Sequence, residues 1–166
     1  MQVLSESDFA GLVERLAANE LPGGRGIGAW RSLLRAHATL MRQLETDLER
    51  ETGLALADFD VLAQLARASR GLRMTELADR ALISRSGMTR RVARLVDEGL
   101  VRRADAGADR RAVVVALTDA GVARLTETAP AHARGIAEYF VSRLEDEELA
   151  ALESALDKVT LDCTFG

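Results

Sequence analysis

The sequence predicts a mainly α fold with a small β-hairpin wing, an α+β winged helix-turn-helix flanked on both sides by further helices. Three observations point there. Two short helical patterns, "MTELADRALI" and "ISRSGMTRRVARLVDEGL", are joined by about four residues, the spacing of a helix-turn-helix. Directly after them, "LVRRA" and "AVVVAL" flank a polar turn, "DAGADRR", as the strands of a hairpin do. Long amphipathic patterns lie on both sides of this block.

Residues 5–20 read as a short helix, with Phe9, Leu12, Val13 and Leu16 spaced by three and four. "LPGGRGIG" ends it, because proline and clustered glycines oppose helix. A long helix is expected from about Ala29 to Glu51. Its stripe carries Trp30, Leu33, Leu34, His37, Met41, Leu44 and Leu48, and Gly53 suits its C-terminal cap. Another is expected from about Asp58 to Ala68, with Phe59, Leu62 and Leu65 facing inward and "SRG" closing it. Thr75 is read as the N-cap of the first short helix and Ser84 as that of the second. In the second, Met88, Val92, Leu95 and Val96 form the buried stripe, and Gly99 sits just past the end. After the hairpin, Thr118 caps a helix from Asp119 to about Leu144, bent at Pro130. A last helix, Glu145 to about Leu161, opens on "EDEE", which suits the positive end of a helix dipole.

The composition is that of one globular domain: 166 residues, 48% apolar and 29% charged. No apolar run approaches the roughly 20 residues of a membrane span. The acidic N-terminus lacks the basic-then-apolar order of a secretory signal, so the cytoplasm is the expected location. The one cysteine, Cys163, excludes an internal disulfide, and no cofactor or metal motif is present. No Ser-His-Asp set, HExxH or phosphate-binding glycine loop appears, so an enzyme is not expected. Net charge is −4, but its distribution is uneven. From Arg67 to Arg111 there are 12 arginines and 6 acids, net +6, while the remainder carries net −10. A basic middle suits a polyanion, and acidic ends favour solubility.

The helix after Ser84 carries the strongest constellation. With its apolar stripe inward, the other side displays Arg85, Ser86, Thr89, Arg90 and, further along, Arg94. Arginine binds guanine O6 and N7 in bidentate fashion, and Ser and Thr reach phosphates or base edges. Gly87 removes bulk where a sugar–phosphate backbone would approach. The bland alternative is a solvated face with arginine chosen for helix propensity. At the hairpin tip, Arg110 or Arg111 suits a narrow, negative minor groove, and Asp109 is placed to preorganise the guanidinium. An ordinary polar turn explains the tip equally well from these residues alone.

"DRRAVVVALTDAG" fits the D-x-R-x5-L-T-x2-G wing signature of the MarR family of bacterial transcription regulators, with Asp109, Arg111, Leu117, Thr118 and Gly121 at its fixed positions. "FDVLAQL" and "MTELADRALISRSGMTRRVARLVDEGLVRR" resemble that family's second to fourth helices and first wing strand. The resemblance covers about residues 27 to 160. It implies a homodimer on a pseudo-palindromic operator in double-stranded DNA, with a repressor expected and activation the alternative, since the sign depends on where the operator lies. Residues 1–24 would be a helical extension, 25–56 and 119–163 the dimerisation helices, and 57–118 the winged helix-turn-helix. It places Ser84, Arg85, Ser86, Thr89, Arg90 and Arg94 at the major groove or backbone. Arg111 becomes the minor-groove residue, Asp109 its orienting partner, and Arg110 a phosphate contact or solvated neighbour. Ala55 stands where relatives often carry a Ser or Thr cap.

Many relatives release DNA on binding a small, often phenolic, anion. Trp30, His37 and Phe59 are the candidate lining of such a pocket, with Arg31 or Arg35 to pair a carboxylate. Core packing is the competing reading for Trp30 and Phe59. Redox sensing through Cys163 is a further alternative, disfavoured because Asp162 beside it would raise the thiol pKa. A helical dimer that binds proteins rather than DNA is another, which the intact arginines argue against.

Overall fold

The computed structural model describes residues 26–68, 71–81, 83–106 and 109–161, with backbone alone for 105–106, 109–113 and 161. The elements run α1 (Ile27–Thr52), α2 (Leu56–Ala66), β1 (Leu72–Arg73), α3 (Met74–Arg80), α4 (Arg85–Asp97), β2 (Val101–Ala106), β3 (Asp109–Leu117), α5 (Asp119–Tyr139), a 3-10 turn (Val141–Arg143) and α6 (Asp146–Leu161). The helix expected at 5–20 lies outside the described residues. Among the described residues no helix is long and apolar enough to cross a membrane.

The chain divides into two units, Met1–Arg42 and Gln43–Gly166. The core of the second is built from the stripes the spacing predicts. Leu48 of α1, Phe59, Leu62 and Leu65 of α2, Leu77 of α3, and Met88, Val92 and Leu95 of α4 close over Val101 and Val115 of the sheet. Each such side chain contributes about 1.5–3 kcal/mol by leaving water. The stripe of α1 behaves differently along its length. Leu44 and Leu48 are buried, whereas Trp30, at 55% exposure, and Leu33, Leu34 and Met41 remain open to solvent.

Several boundaries differ from the sequence expectation, each for an identifiable physical reason. Helix α2 starts two residues early, and Ala55 offers no side-chain cap. The carboxylate of Glu45 replaces it, accepting a hydrogen bond from the Leu56 N–H at 3.0 Å. Thr75 is not an N-cap. Helix α3 follows Arg73, whose N–H donates to the Glu76 carboxylate at 2.8 Å, and Thr75 falls in the first turn. The wing belongs to a three-stranded antiparallel sheet, ordered β1-β3-β2, rather than to an isolated hairpin. Leu72 pairs with Val115, and Val101 with Leu117. Strand β1 has only two residues, too few for an alternating pattern to reveal. Strands β2 and β3 extend to Ala106 and from Asp109, shortening the expected turn, because charged residues conceal strand ends from a hydropathy pattern.

Helix α5 continues through Pro130 and ends at Tyr139, five residues before the expected Leu144. A 3-10 turn fills the interval, and α6 opens where the Glu148 carboxylate accepts the Glu145 N–H at 3.0 Å. Helix α5 lies close against the C-terminal part of α1. Gly135 leaves room for Leu44, whose Cδ2 would stand 2.6 Å from an added Cβ. The Tyr139 hydroxyl donates to Asp47 at 2.6 Å. That bond leads the causes that hold the Asp47 carboxyl below its ordinary value.

His132 of α5 stacks on Phe59 of α2, with ring centroids 4.5 Å apart and planes tilted by 45°. Its Nδ1 is buried with no hydrogen-bond partner among the described residues. Burial pushes its pKa below the ordinary 6.5, and nearby Asp60 opposes this only in part. A depressed histidine pKa means the native state binds fewer protons than the unfolded chain. Stability is therefore full above about pH 6.5 and falls as pH drops below it. Urea midpoints at about pH 7.5 and about pH 5.5 should show this decline, and His132→Phe should reduce it. An equal decline in the variant would assign the loss to other groups.

Candidate nucleic-acid interface

Helix α4 begins as the sequence dictates. Ser84 has extended backbone, with φ −58° and ψ 147°, and its Oγ accepts the Gly87 N–H at 3.2 Å. Met88, Val92 and Leu95 are fully buried on one side. That burial fixes the rotation of the helix and turns Arg85, Ser86, Thr89 and Arg90 to solvent. Arg85 and Arg90 make no ion pair among the described residues. The Thr89 hydroxyl donates to the Arg85 carbonyl at 2.9 Å, leaving its lone pairs outward. Positive charge, hydroxyls and the positive end of the helix dipole thus share one exposed surface, which suits phosphate and base edges. Gly87 serves this arrangement from within. A Cβ there would stand 3.1 Å from both Ser84 Oγ and Ile83 Cγ2, crowding the cap.

Arg94 is placed otherwise than the four residues before it. Its guanidinium grips Oδ2 of Asp58, while Arg91 grips Oδ1 of the same carboxylate. Glu98 lies 3.8 Å from Arg94 on the other side. Asp58 stands in the first turn of α2 and is only 5% exposed. Neither Asp58 nor Arg91 stands out among the expected DNA-contacting residues. The signal was present: Asp58 shares the spacing of Phe59, Leu62 and Leu65, and a carboxylate on a buried face requires a partner.

The far end of α4 is clasped to the wing and to α5 by two residues of the wing signature. Gly99, at φ +73°, turns the chain after α4. The Thr118 hydroxyl donates to the Gly99 carbonyl at 2.7 Å and accepts the Gly121 N–H at 3.0 Å. The Thr118 N–H donates to the Leu100 carbonyl at 3.1 Å. Gly121 is buried against that carbonyl, with no space for a Cβ. One threonine therefore caps α5, ends β3 and holds the exit of α4.

Asp109, Arg110 and Arg111 open strand β3, and their side chains lie outside the described residues, as does Cys163. The candidate pocket residues do not all share a unit. Trp30, Arg31 and His37 belong to the first, where Trp30 and His37 are exposed, and Phe59 is a core residue of the second. None of the four lines either of two clefts in the second unit, of about 250 and 710 Å³. In the smaller cleft the charges already neutralise one another, Arg134 with Glu51 at 2.7 Å and Arg124 with Glu127 at 3.2 Å.

Known proteins share this fold. A family model described as MarR family matches residues 52–112, from the end of α1 to the wing. A MarR family transcriptional regulator from Streptomyces coelicolor, crystallised in complex with DNA, is 30% identical with a TM-score of 0.76, across 99% of this chain and 96% of that one. AbsC, another MarR family regulator from Streptomyces coelicolor, is 27% identical with a TM-score of 0.73, covering 98% and 97% of the two chains. The transcriptional regulator PecS of Dickeya dadantii is 31% identical over 108 residues, 64% of each chain. With the winged helix-turn-helix in place and 30% identity held across almost the whole of a DNA-bound relative, the chain belongs to the MarR family of transcriptional regulators.

Proposed function

We propose that the protein is a repressor that binds a pseudo-palindromic operator as a homodimer, with α4 in the major groove and the wing in the adjacent minor groove. The observation that carries this is the exposed set on the first two turns of α4: Arg85, Ser86, Thr89 and Arg90 beside the cap Ser84. Arginine there reads guanine edges, and the hydroxyls and helix N-terminus hold phosphates. Arg111 enters the minor groove, oriented by Asp109, and Arg110 meets a phosphate; the support is the wing signature. The dimer is formed by the helices within 25–56 and 119–163. Trp30, Leu34, Val122, Val141 and Val159 are large apolar side chains left in water by the single chain, which favours a further partner surface. A two-fold protein matches a two-fold site. Release by a small phenolic or anionic ligand rests on the family resemblance.

Three measurements test the reading. Light scattering should give a dimer, and a monomer at micromolar concentration would sink the architecture. Genomic fragments selected by the purified protein should contain inverted half-sites. On such a fragment, Arg111→Ala should bind about 10-fold or more weaker at constant salt while remaining folded. Unchanged affinity removes the wing from the mechanism.

A further inference from the structure

We infer that Asp58 is a positioning residue for DNA recognition: it withholds Arg94 from the DNA and confines the free positive charge of α4 to Arg85 and Arg90. The inference rests on the reading of α4 as the DNA-contacting helix. Arg91 and Arg94 lie three residues apart on α4, and each grips one oxygen of a single buried carboxylate. Two anchors on successive turns fix the helix about its own axis as well as along it. They also settle its charge. Arg91 and Arg94 are balanced by Asp58 and by Glu98, 3.8 Å from Arg94, so the C-terminal half of this face is neutral. The Arg94 side chain is 52% exposed, close enough to solvent to reach a phosphate if it were released.

Competition decides where that guanidinium stays. Asp58 is fixed, 5% exposed and already desolvated, so its attraction is screened less than that of a phosphate in water. A phosphate contact by Arg94 would add affinity for every sequence equally, because phosphates carry no base identity. Holding Arg94 back keeps non-specific binding low and leaves recognition to the N-terminal half of the helix. Asp58 therefore sets the ratio of operator to random-DNA binding without touching DNA.

The test compares the full-length wild type, Asp58→Asn, Arg94→Ala and Arg90→Ala on one selected operator and one random duplex, over a range of salt. Arg94→Ala is expected to leave the slope of log affinity against log salt unchanged. Asp58→Asn is expected to steepen that slope by about 0.9 per helix engaged and to raise random-DNA affinity more than operator affinity. Arg90→Ala should weaken operator binding and so verifies the underlying reading. A slope made shallower by about 0.9 in Arg94→Ala would make Arg94 a phosphate contact and overturn the inference. So would a folded Asp58→Asn protein with lower thermal stability but unchanged slope and ratio, since that is a purely structural role. If Asp58→Asn does not fold, the Arg94→Ala slope decides alone. If Arg90→Ala is silent, the reading of α4 fails, and this inference fails with it.

Discussion

Gly121→Ala is expected to destabilise the protein by about 3 kcal/mol and to abolish DNA binding with it. Helix propensity predicts the opposite sign. Gly121 lies in the first turn of α5, where alanine would ordinarily gain about 1 kcal/mol. Packing overrides that preference. A Cβ would collide with the Leu100 carbonyl oxygen, stand 3.0 Å from its carbon, and meet Leu117 Cδ2 at 3.1 Å. The obstacle is backbone, not a movable side chain. The Leu100 carbonyl is held by the Thr118 N–H, and the Leu100 N–H is itself bonded to the Leu95 carbonyl at 2.9 Å inside α4. Relief therefore means opening the Thr118 clasp and shifting the exit of α4. Urea unfolding measures the loss directly. A variant as stable as wild type, or more so, would mean that the clasp does not govern the position of α4.

Arg90→Ala is expected to weaken operator binding by about 10- to 100-fold, with the loss concentrated at one base pair of each half-site. Arg90 is exposed, so the fold should be unaffected and thermal stability should match wild type. The energetic reason is the bidentate match between guanidinium and guanine, which a truncated side chain leaves unmade. A panel of operators substituted one base pair at a time separates two outcomes. Relaxed discrimination at a single position identifies a base contact. A loss of equal size on every sequence makes Arg90 a phosphate contact instead.

Much of this was legible because helical periodicity and caps are local. Met88, Val92 and Leu95 declared the buried side of α4, and its opposite face followed by geometry. Ser84 and Thr118 were readable as caps because each hydroxyl stands just before a helix and accepts the N–H three residues on, whereas Thr75 falls inside the first turn, too late to do so. What escaped depends on contacts distant in sequence. Glu45 supplies the cap that Ala55 lacks, bonding the N–H of Leu56 from 11 residues away. Asp58 claims Arg94 from 36 residues away, a pairing that no local pattern announces. Strand β1 exists only because Leu72 and Arg73 find Val115 and Val114 across the sheet. The spacing of α1 shows an apolar stripe, but whether that stripe is covered by this chain is not a property of its spacing. Trp30 and Leu34 remain exposed where Leu44 and Leu48 are buried.

On the proposed function, the first two turns of α4 meet base edges in the major groove. Dimethyl sulfate footprinting reads it directly, because the reagent methylates guanine N7, the atom that arginine contacts there. On a selected operator, the wild-type protein should protect guanine N7 in two half-sites about 10 base pairs apart, and Arg90→Ala should lose that protection. Affinity without guanine protection, or protection undiminished in Arg90→Ala, would contradict the account.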